Sequence, residues 1–377
     1  MKNMKSSSGG FTRLLLVAIF VLAALGGLVA PAAAATGSSG FVYTLSNAAG
    51  GNAVLAYARA AGGSLSFAQS YPTGGLGSGA GLGSQGSLVL TPDGKWLLAV
   101  NPGSNQLSVF AVKPAGLALA SVTASNGLMP VSLAVYDGLV YVLNEGGSGN
   151  ISGFRLDGQG GLTALDGSVQ YLSNGGVSAA PGGAEIAFSP DGRTLVVTEK
   201  ATNLIDTFAL NGGLASPVVT HPSSGATPFG FAFNSRGTLV VSEAFGGAPG
   251  ASALSSYVVR GDSFSLVSPT VFTTQTAACW VAISNNGKFA YTTNAGSASI
   301  SSYSIGKDGS IHLLNAVAGS TGASPVDMAF GGGGAYLYAL SAAGHSISAF
   351  RMQTDGSLVA VGSFGVPAGV VGLAATN

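Results

Sequence analysis

The stretch Ser87-Leu88-Val89-Leu90-Thr91-Pro92-Asp93-Gly94-Lys95-Trp96-Leu97-Leu98-Ala99-Val100-Asn101 reads as a short apolar strand, a turn ending in glycine, and a second apolar strand. It returns as Ser132-Leu133-Ala134-Val135, Asp137-Gly138, Tyr141-Val142-Leu143-Asn144, and again as Glu185-Ile186-Ala187-Phe188, Pro190-Asp191-Gly192, Leu195-Val196-Val197. Later copies turn at Arg236-Gly237, Asn286-Gly287 and Gly333-Gly334. The turn glycines 94, 138, 192, 237, 287 and 334 are spaced by 44, 54, 45, 50 and 47 residues. Asp-Gly and Asn-Gly between apolar runs mark tight hairpins, because such turns need positive φ. A repeat of this length is the signature of a propeller or a solenoid.

Each copy continues into a third strand, such as Ser299-Ile300-Ser301-Ser302-Tyr303, and then a fourth. Fourth strands are expected to begin near Leu65, Leu117, Leu162, Leu214, Phe264, Ile311 and Leu358, seven in all against six complete inner turns. Phe41-Val42-Tyr43-Thr44-Leu45 matches a second strand, and Gly372-Leu373-Ala374-Ala375, after Pro367, matches a first strand. A C-terminal strand therefore completes the N-terminal blade. The expected fold is an all-β, seven-bladed propeller of four-stranded blades, closed so that sheet edges are protected. An open β solenoid is the alternative, but its shorter rungs leave the half-repeat at each end unexplained.

Composition agrees. The 377 residues carry 14 Lys+Arg against 14 Asp+Glu, and charged residues are only 7%, where soluble domains average about 25%. Blades that pack face to face bury their strands on both sides and read as near-continuous apolar runs. A chain with no net charge has no basic field for phosphate backbones, which excludes nucleic acid as a partner. The single Cys279 excludes an internal disulfide framework and a cysteine zinc site.

At the N-terminus, Lys2, Lys5 and Arg13 precede the apolar run Leu14 to Ala30, followed by Ala32, Ala33, Ala34 and Ala35. That is the pattern of a secretory signal. Cleavage is expected near Ala33 to Ala35, dividing the chain into a signal over 1–35 and a propeller over 36–377, with an uncleaved anchor as the alternative. The expected product is a secreted or extracytoplasmic monomer.

Glu145, Glu199 and Glu243 all fall where a second strand closes, on blades three, four and five. Glu185 and Asp327 share a position in the first strands of blades four and seven. All therefore map near one face of the wheel. Crowded carboxylates in a cleft shift their pKa values and mark sites. The alternative is that they hold neighbouring blade backbones. Asn101, Asn294 and Lys200 share that rim. Oxygen ligands gathered about an axis suit Ca²⁺, but no contiguous metal motif is present and no metal ligand is assigned. His221 and His345 are candidates for the channel face and for proton transfer, and His312 lies in an outer strand. Trp280 enters blade six from the same rim, where it could stack on a flat ligand. Cys279 beside it reads as a small buried hydrophobe.

The Phe188-Ser189-Pro190-Asp191-Gly192-Arg193-Thr194-Leu195 stretch, the Pro92-Asp93-Gly94-Lys95 copy and Tyr141-Val142-Leu143-Asn144-Glu145-Gly146-Gly147 resemble the lactonase-type seven-bladed propeller family. That family includes propeller 6-phosphogluconolactonases and fungal carboxymuconate cyclases. The resemblance covers residues 40–377 and implies hydrolysis or closure of a sugar or muconate lactone on the channel face. The cyclase branch uses a His before a first strand, an Arg in a Pro-Arg-His approach, a Glu in an Asn-Glu ending and an Arg in an Asn-Arg-Gly ending. These fall here on Ala184 beside Glu185, Phe229 within Pro228-Phe229-Gly230, Glu243 within Ser242-Glu243, and Ala295 within Asn294-Ala295-Gly296. Only the Glu is kept. Without the two arginines, the groups best suited to grip a carboxylate or phosphate are gone.

Two functions follow as expectations. In the first, an exported hydrolase acts on a small uncharged lactone. Glu243 is its base, supported by Glu145, Glu199 or His345, with Asn294 and Lys200 at the oxyanion and Asn101, Glu185, Trp280 and Asp327 lining the substrate. In the second, a non-catalytic extracellular propeller binds a carbohydrate, peptide or cell-wall partner through the same rim. Low charge also permits self-association as a surface layer.

Overall fold

In the computed structural model, described for Met1 and residues 38–261 and 263–377, seven sheets carry nearly all the regular structure. The signal-segment reading falls outside the described residues. Blade 1 is the composite one: Val371–Ala375 lies innermost, then Ser38–Leu45, Ala53–Ala60 and Leu65–Pro72. The closing register pairs Val42 with Ala375, Tyr43 with Ala374 and Leu45 with Val371. Thr376 locks the joint, its Oγ1 accepting the Phe41 N–H at 2.8 Å.

Blades 2 to 7 begin with the inner strands Leu88–Leu90, Pro130–Tyr136, Gly183–Phe188, Pro228–Phe233, Ala278–Ile283 and Pro325–Gly331. Their second strands are Trp96–Asn101, Leu139–Asn144, Thr194–Glu199, Thr238–Glu243, Phe289–Asn294 and Tyr336–Ser341. Outer strands are continuous except in blades 3 and 4, where they split into Leu162–Ala164 with Gln170–Tyr171 and Leu214–Ala215 with Val219–Pro222.

The inner turns form as their residues dictate. Asp93 Oδ1 accepts the Thr91 hydroxyl at 2.7 Å and the Lys95 N–H at 3.1 Å, while Gly94 takes φ +69°. Asp191 does the same with Ser189 and Arg193, and Asn286 with Ser284 and Lys288. The turn acids are thus spent on turn chemistry.

Between blades, second-strand tyrosines pin the outer hairpin of the next blade. Tyr141, Tyr291 and Tyr338 donate to the carbonyls of Gly213, Gly356 and Gly63 at 2.9, 2.7 and 3.0 Å. Their rings are buried, so each blade contact combines apolar burial with one satisfied hydroxyl. Among the described residues, no helix is long and apolar enough to cross a membrane.

Candidate functional site

In blades 2 to 6 the last residue of the second strand is a buried Asn or Glu that holds the strands of its own blade or the loop that arrives from the preceding one. Asn101 Oδ1 accepts Thr73 Oγ1 at 2.6 Å and Asn52 Nδ2 at 3.1 Å, and its Nδ2 donates to Ser108 Oγ at 2.7 Å. Asn144 donates to the Ser125 carbonyl and to Ser152, and Asn294 to Ser299 and Ser301. Glu199 accepts the Ser173 N–H at 3.0 Å and its hydroxyl at 2.6 Å, together with the Thr202 hydroxyl. Buried Asp206 lies beside Glu199, and burial together with that neighbour pushes its carboxyl up to about 9. Glu243 accepts the Gly225 N–H at 2.8 Å, is 0% exposed, and is raised by burial against the Ser255 and Thr270 hydroxyls.

The expectation that Glu199 and Glu243 open on the channel with Glu145 is therefore corrected. Successive side chains of a strand face opposite ways. Glu199 and Glu243 end their strands, whereas Glu145 stands one residue beyond Asn144. Asn101 and Asn294 belong with the buried set.

The position one residue further on faces the axis. Across blades 1 to 7 it holds Ser46, Pro102, Glu145, Lys200, Ala244, Ala295 and Ala342. Glu145 and Lys200 are its two ionisable members and lie on adjacent blades. Lys200 Nζ stands 4.0 Å from Glu145 Oε2, both side chains are about four-fifths buried, and that oxygen has no hydrogen-bond partner. Burial raises the Glu145 carboxyl to about 7, with Glu199 adding to the shift and Lys200 opposing it. Burial lowers Lys200, while Glu145 and Cys279 act the other way. Phe229 lies under the ammonium at 5.1 Å and meets Trp280 edge to face at 5.2 Å.

A feature the sequence reading missed covers this cluster. The segment 81–86, between blades 1 and 2, crosses the mouth of the wheel. Lys200 Nζ donates to the Gly83 carbonyl at 2.7 Å, Trp280 Nε1 to that of Ser84 at 3.0 Å, and Ser84 Oγ to that of Val131 at 2.9 Å. Gln85 spans the axis. Its N–H donates to Ala184 at 3.0 Å, and its amide pairs with both main-chain groups of Val281 at 2.8 and 3.0 Å. Trp280 is thus a buried anchor for this segment and not an open stacking face.

Gln85 joins a set of clasps that link inner strands of neighbouring blades. Ser132 Oγ accepts the Ile186 N–H of the next blade at 3.1 Å, Glu185 Oε2 that of Phe231 at 2.6 Å, and Asp327 Oδ2 that of Leu373 at 3.0 Å. In blade 5 the same position is Gly230, which has no acceptor to offer, and Gln85 reaches across to take its place. Glu185 and Asp327 thus act as backbone clasps. Burial raises both carboxyls, Asp327 up to about 8.

The histidines lie elsewhere. His345 is an exposed turn residue at φ +46°, and His221 sits in an outer strand, stacked on Phe264 at 4.2 Å. Cys279 is buried, and burial pushes its thiol up to about 12. Among the described residues, no group of three or more His, Cys, Asp or Glu is placed to hold a metal ion. The two Asn side chains offered for Ca²⁺ lie in separate blades, Asn101 holding blade 1 residues and Ser108, and Asn294 its own strands.

The family described as "Lactonase, 7-bladed beta-propeller" matches residues 34–173, 137–244 and 247–370. The chain belongs to this family. Solved structures share the fold at low identity. A "putative 6-phosphogluconolactonase" from Bacteroides uniformis superposes with TM-score 0.69 at 18% identity, over 89% of this chain and 99% of that one. The periplasmic gluconolactonase PpgL of Pseudomonas aeruginosa gives 0.63 at 15%, over 89% and 99%. A functionally unknown protein from Desulfotomaculum acetoxidans gives 0.64 at 11%, over 88% and 98%. No curated protein matches the sequence.

Proposed function

We propose that this lactonase-family propeller is an exported hydrolase of a small uncharged lactone, working at Glu145 and Lys200. The observation that carries the reading is the Glu145 carboxyl near neutrality, with one unpartnered oxygen 4.0 Å from the Lys200 ammonium. A base of this strength suits work near pH 7. Glu145 takes a proton from water, and the water oxygen attacks the lactone carbonyl carbon. Lys200 steadies the oxyanion. The acyl C–O bond then breaks, and the ring oxygen leaves with the proton held by Glu145. No cofactor enters this scheme. Glu243 and Glu199 stand outside it because they are fully buried within the blades, and His345 because it lies in an exposed turn. The missing arginines at Phe229 and Ala295 favour an uncharged substrate over a sugar phosphate. Export rests on the basic, apolar and alanine-rich pattern of residues 1–35.

A second reading, a non-catalytic propeller binding a carbohydrate or cell-surface partner, is favoured by one observation: segment 81–86 lies over the mouth, tied to blades 3, 4 and 6. Assays with δ-valerolactone, γ-butyrolactone and glucono-δ-lactone separate the two. The hydrolase reading expects turnover that falls about a hundredfold or more in Glu145→Gln. Absence of turnover on all three, or an unchanged rate in the variant, refutes it.

A further inference from the structure

The far side of Gln85 holds a second cavity. It occupies the channel over about 480 Å³, between the inner strands of six blades. That volume lies within the range of small-molecule sites. Gln85 stands at its inner end, and its lining runs to Leu90, Tyr136, Pro190 and Phe330 at the ends of the first strands, on the face opposite Glu145.

Its chemistry is specific. No Lys, Arg or His lines it, and its walls are mainly Leu, Val, Ile, Ala, Met and Phe side chains together with strand edges, with Tyr136 and Ser189 toward the far face. At the inner end stand Glu185 and Asp327. Asp327 uses both oxygens, on the N–H groups of Met328 and Leu373. Glu185, 7% exposed, uses Oε2 on Phe231 and has no donor on Oε1 among the described residues. Deep burial, with Asp327 beside it, raises the Glu185 carboxyl well above its usual range and so favours the neutral form. A neutral carboxyl whose one oxygen is held by an N–H presents its O–H from the other. The inner end of the cavity therefore offers the free oxygen of the Glu185 carboxyl, beside Asp327 and Gln85 whose polar groups are held by main-chain partners, above a largely apolar sleeve. A cation would need a carboxylate there, and an anion would need a positive charge that the lining lacks.

We propose that this channel cavity is a binding site for a small uncharged molecule with an apolar body and a carbonyl oxygen that accepts a hydrogen bond from Glu185. The site is separate from Glu145 and Lys200 and does not depend on the proposed hydrolase activity.

The test uses three probes of one shape, cyclohexanone, cyclohexylammonium and cyclohexanecarboxylate, with backbone amide NMR of the whole protein. Cyclohexanone is expected to shift the amides of Ile186, Phe231 and Leu373 while leaving Glu145 and Lys200 unmoved, and to bind at least tenfold more tightly than either ion. Glu185→Gln keeps an acceptor for Phe231 and a donor for the ligand, so its affinity should stay within about threefold. Glu185→Val should lose at least tenfold. If that variant does not fold, the amide map and the probe ranking still decide. Absence of saturable shifts, shifts confined to other surfaces, tighter binding of cyclohexylammonium, or Glu185→Val binding as wild type overturns the proposal. Lactone turnover is measured in parallel, so loss of either activity is read independently of the other.

Discussion

Gly230→Ala tests the inner clasp. Gly230 has no positive φ to protect, so alanine fits its backbone and would by itself add about 0.4–1 kcal/mol through the unfolded state. Space decides otherwise. A Cβ there falls inside contact distance of Gln85 Oε1, 2.7 Å from the Cys279 carbonyl oxygen and 2.9 Å from Trp280 Cα. Two of these atoms are main chain of the neighbouring first strand and cannot swing away. Overpacking of this kind costs about 1–3 kcal/mol. Displacing Gln85 also removes its two bonds to Val281, at about 1 kcal/mol each. The net expectation is a loss of about 2–4 kcal/mol, a large share of the roughly 5–15 kcal/mol that a fold commands. Urea unfolding of Gly230→Ala, Gln85→Ala and the double variant measures it. Gln85→Ala alone should lose about 2 kcal/mol. The double variant should lose about 1–2 kcal/mol less than the two single losses combined, because the first clash has lost its partner. Additivity within about 0.5 kcal/mol, or a stabilised Gly230→Ala, refutes the view that Gln85 stands in for the missing side chain.

Asp206 and Asp327 hold their protons to about pH 9 and 8 in the fold, while the unfolded chain releases them near pH 4. The native state binds more protons in that window, so stability should fall as pH rises from about 5 to 8, by up to about 1.4 kcal/mol per unit for each group. Urea midpoints at pH 5 and 7.5 check the sign, and Asp327→Asn, which can still accept the Leu373 N–H, should flatten the slope. If the hydrolase reading holds, kcat/KM should rise with pH through a midpoint near 7, and Lys200→Met should move that midpoint upward, since the ammonium lowers the Glu145 pKa. Deleting residues 371–377 removes the inner strand of blade 1 and the Thr376 joint. The product should lose cooperative unfolding and aggregate through the exposed edge of Ser38–Leu45, as measured by light scattering.

The propeller was legible because its signals are local. A turn such as Pro92-Asp93-Gly94 needs only its own residues, and the period of such turns counts the blades. The half-repeats at residues 41–45 and 372–375 gave the closure for the same reason, since a strand's apolar pattern shows its place in a blade even where the joint links residues 335 apart. The site was legible only in part. Aligning Glu145 with Glu199 placed it one residue out of register, and in a strand one residue reverses the facing direction. Aligned on Asn144, the sequence singles out Glu145 and Lys200 as the charged pair on the axis-facing position.

Sequence alone determined the strands, the turns, the blade number and the scarcity of charge, because each depends on residues near one another in the chain. Only the tertiary structure decided which acids face the axis and which hold loops, and that Gln85 reaches Val281 across 196 residues to supply what Gly230 lacks. Those contacts join groups that become neighbours only when the ring closes, and no local pattern encodes a partner on the opposite blade.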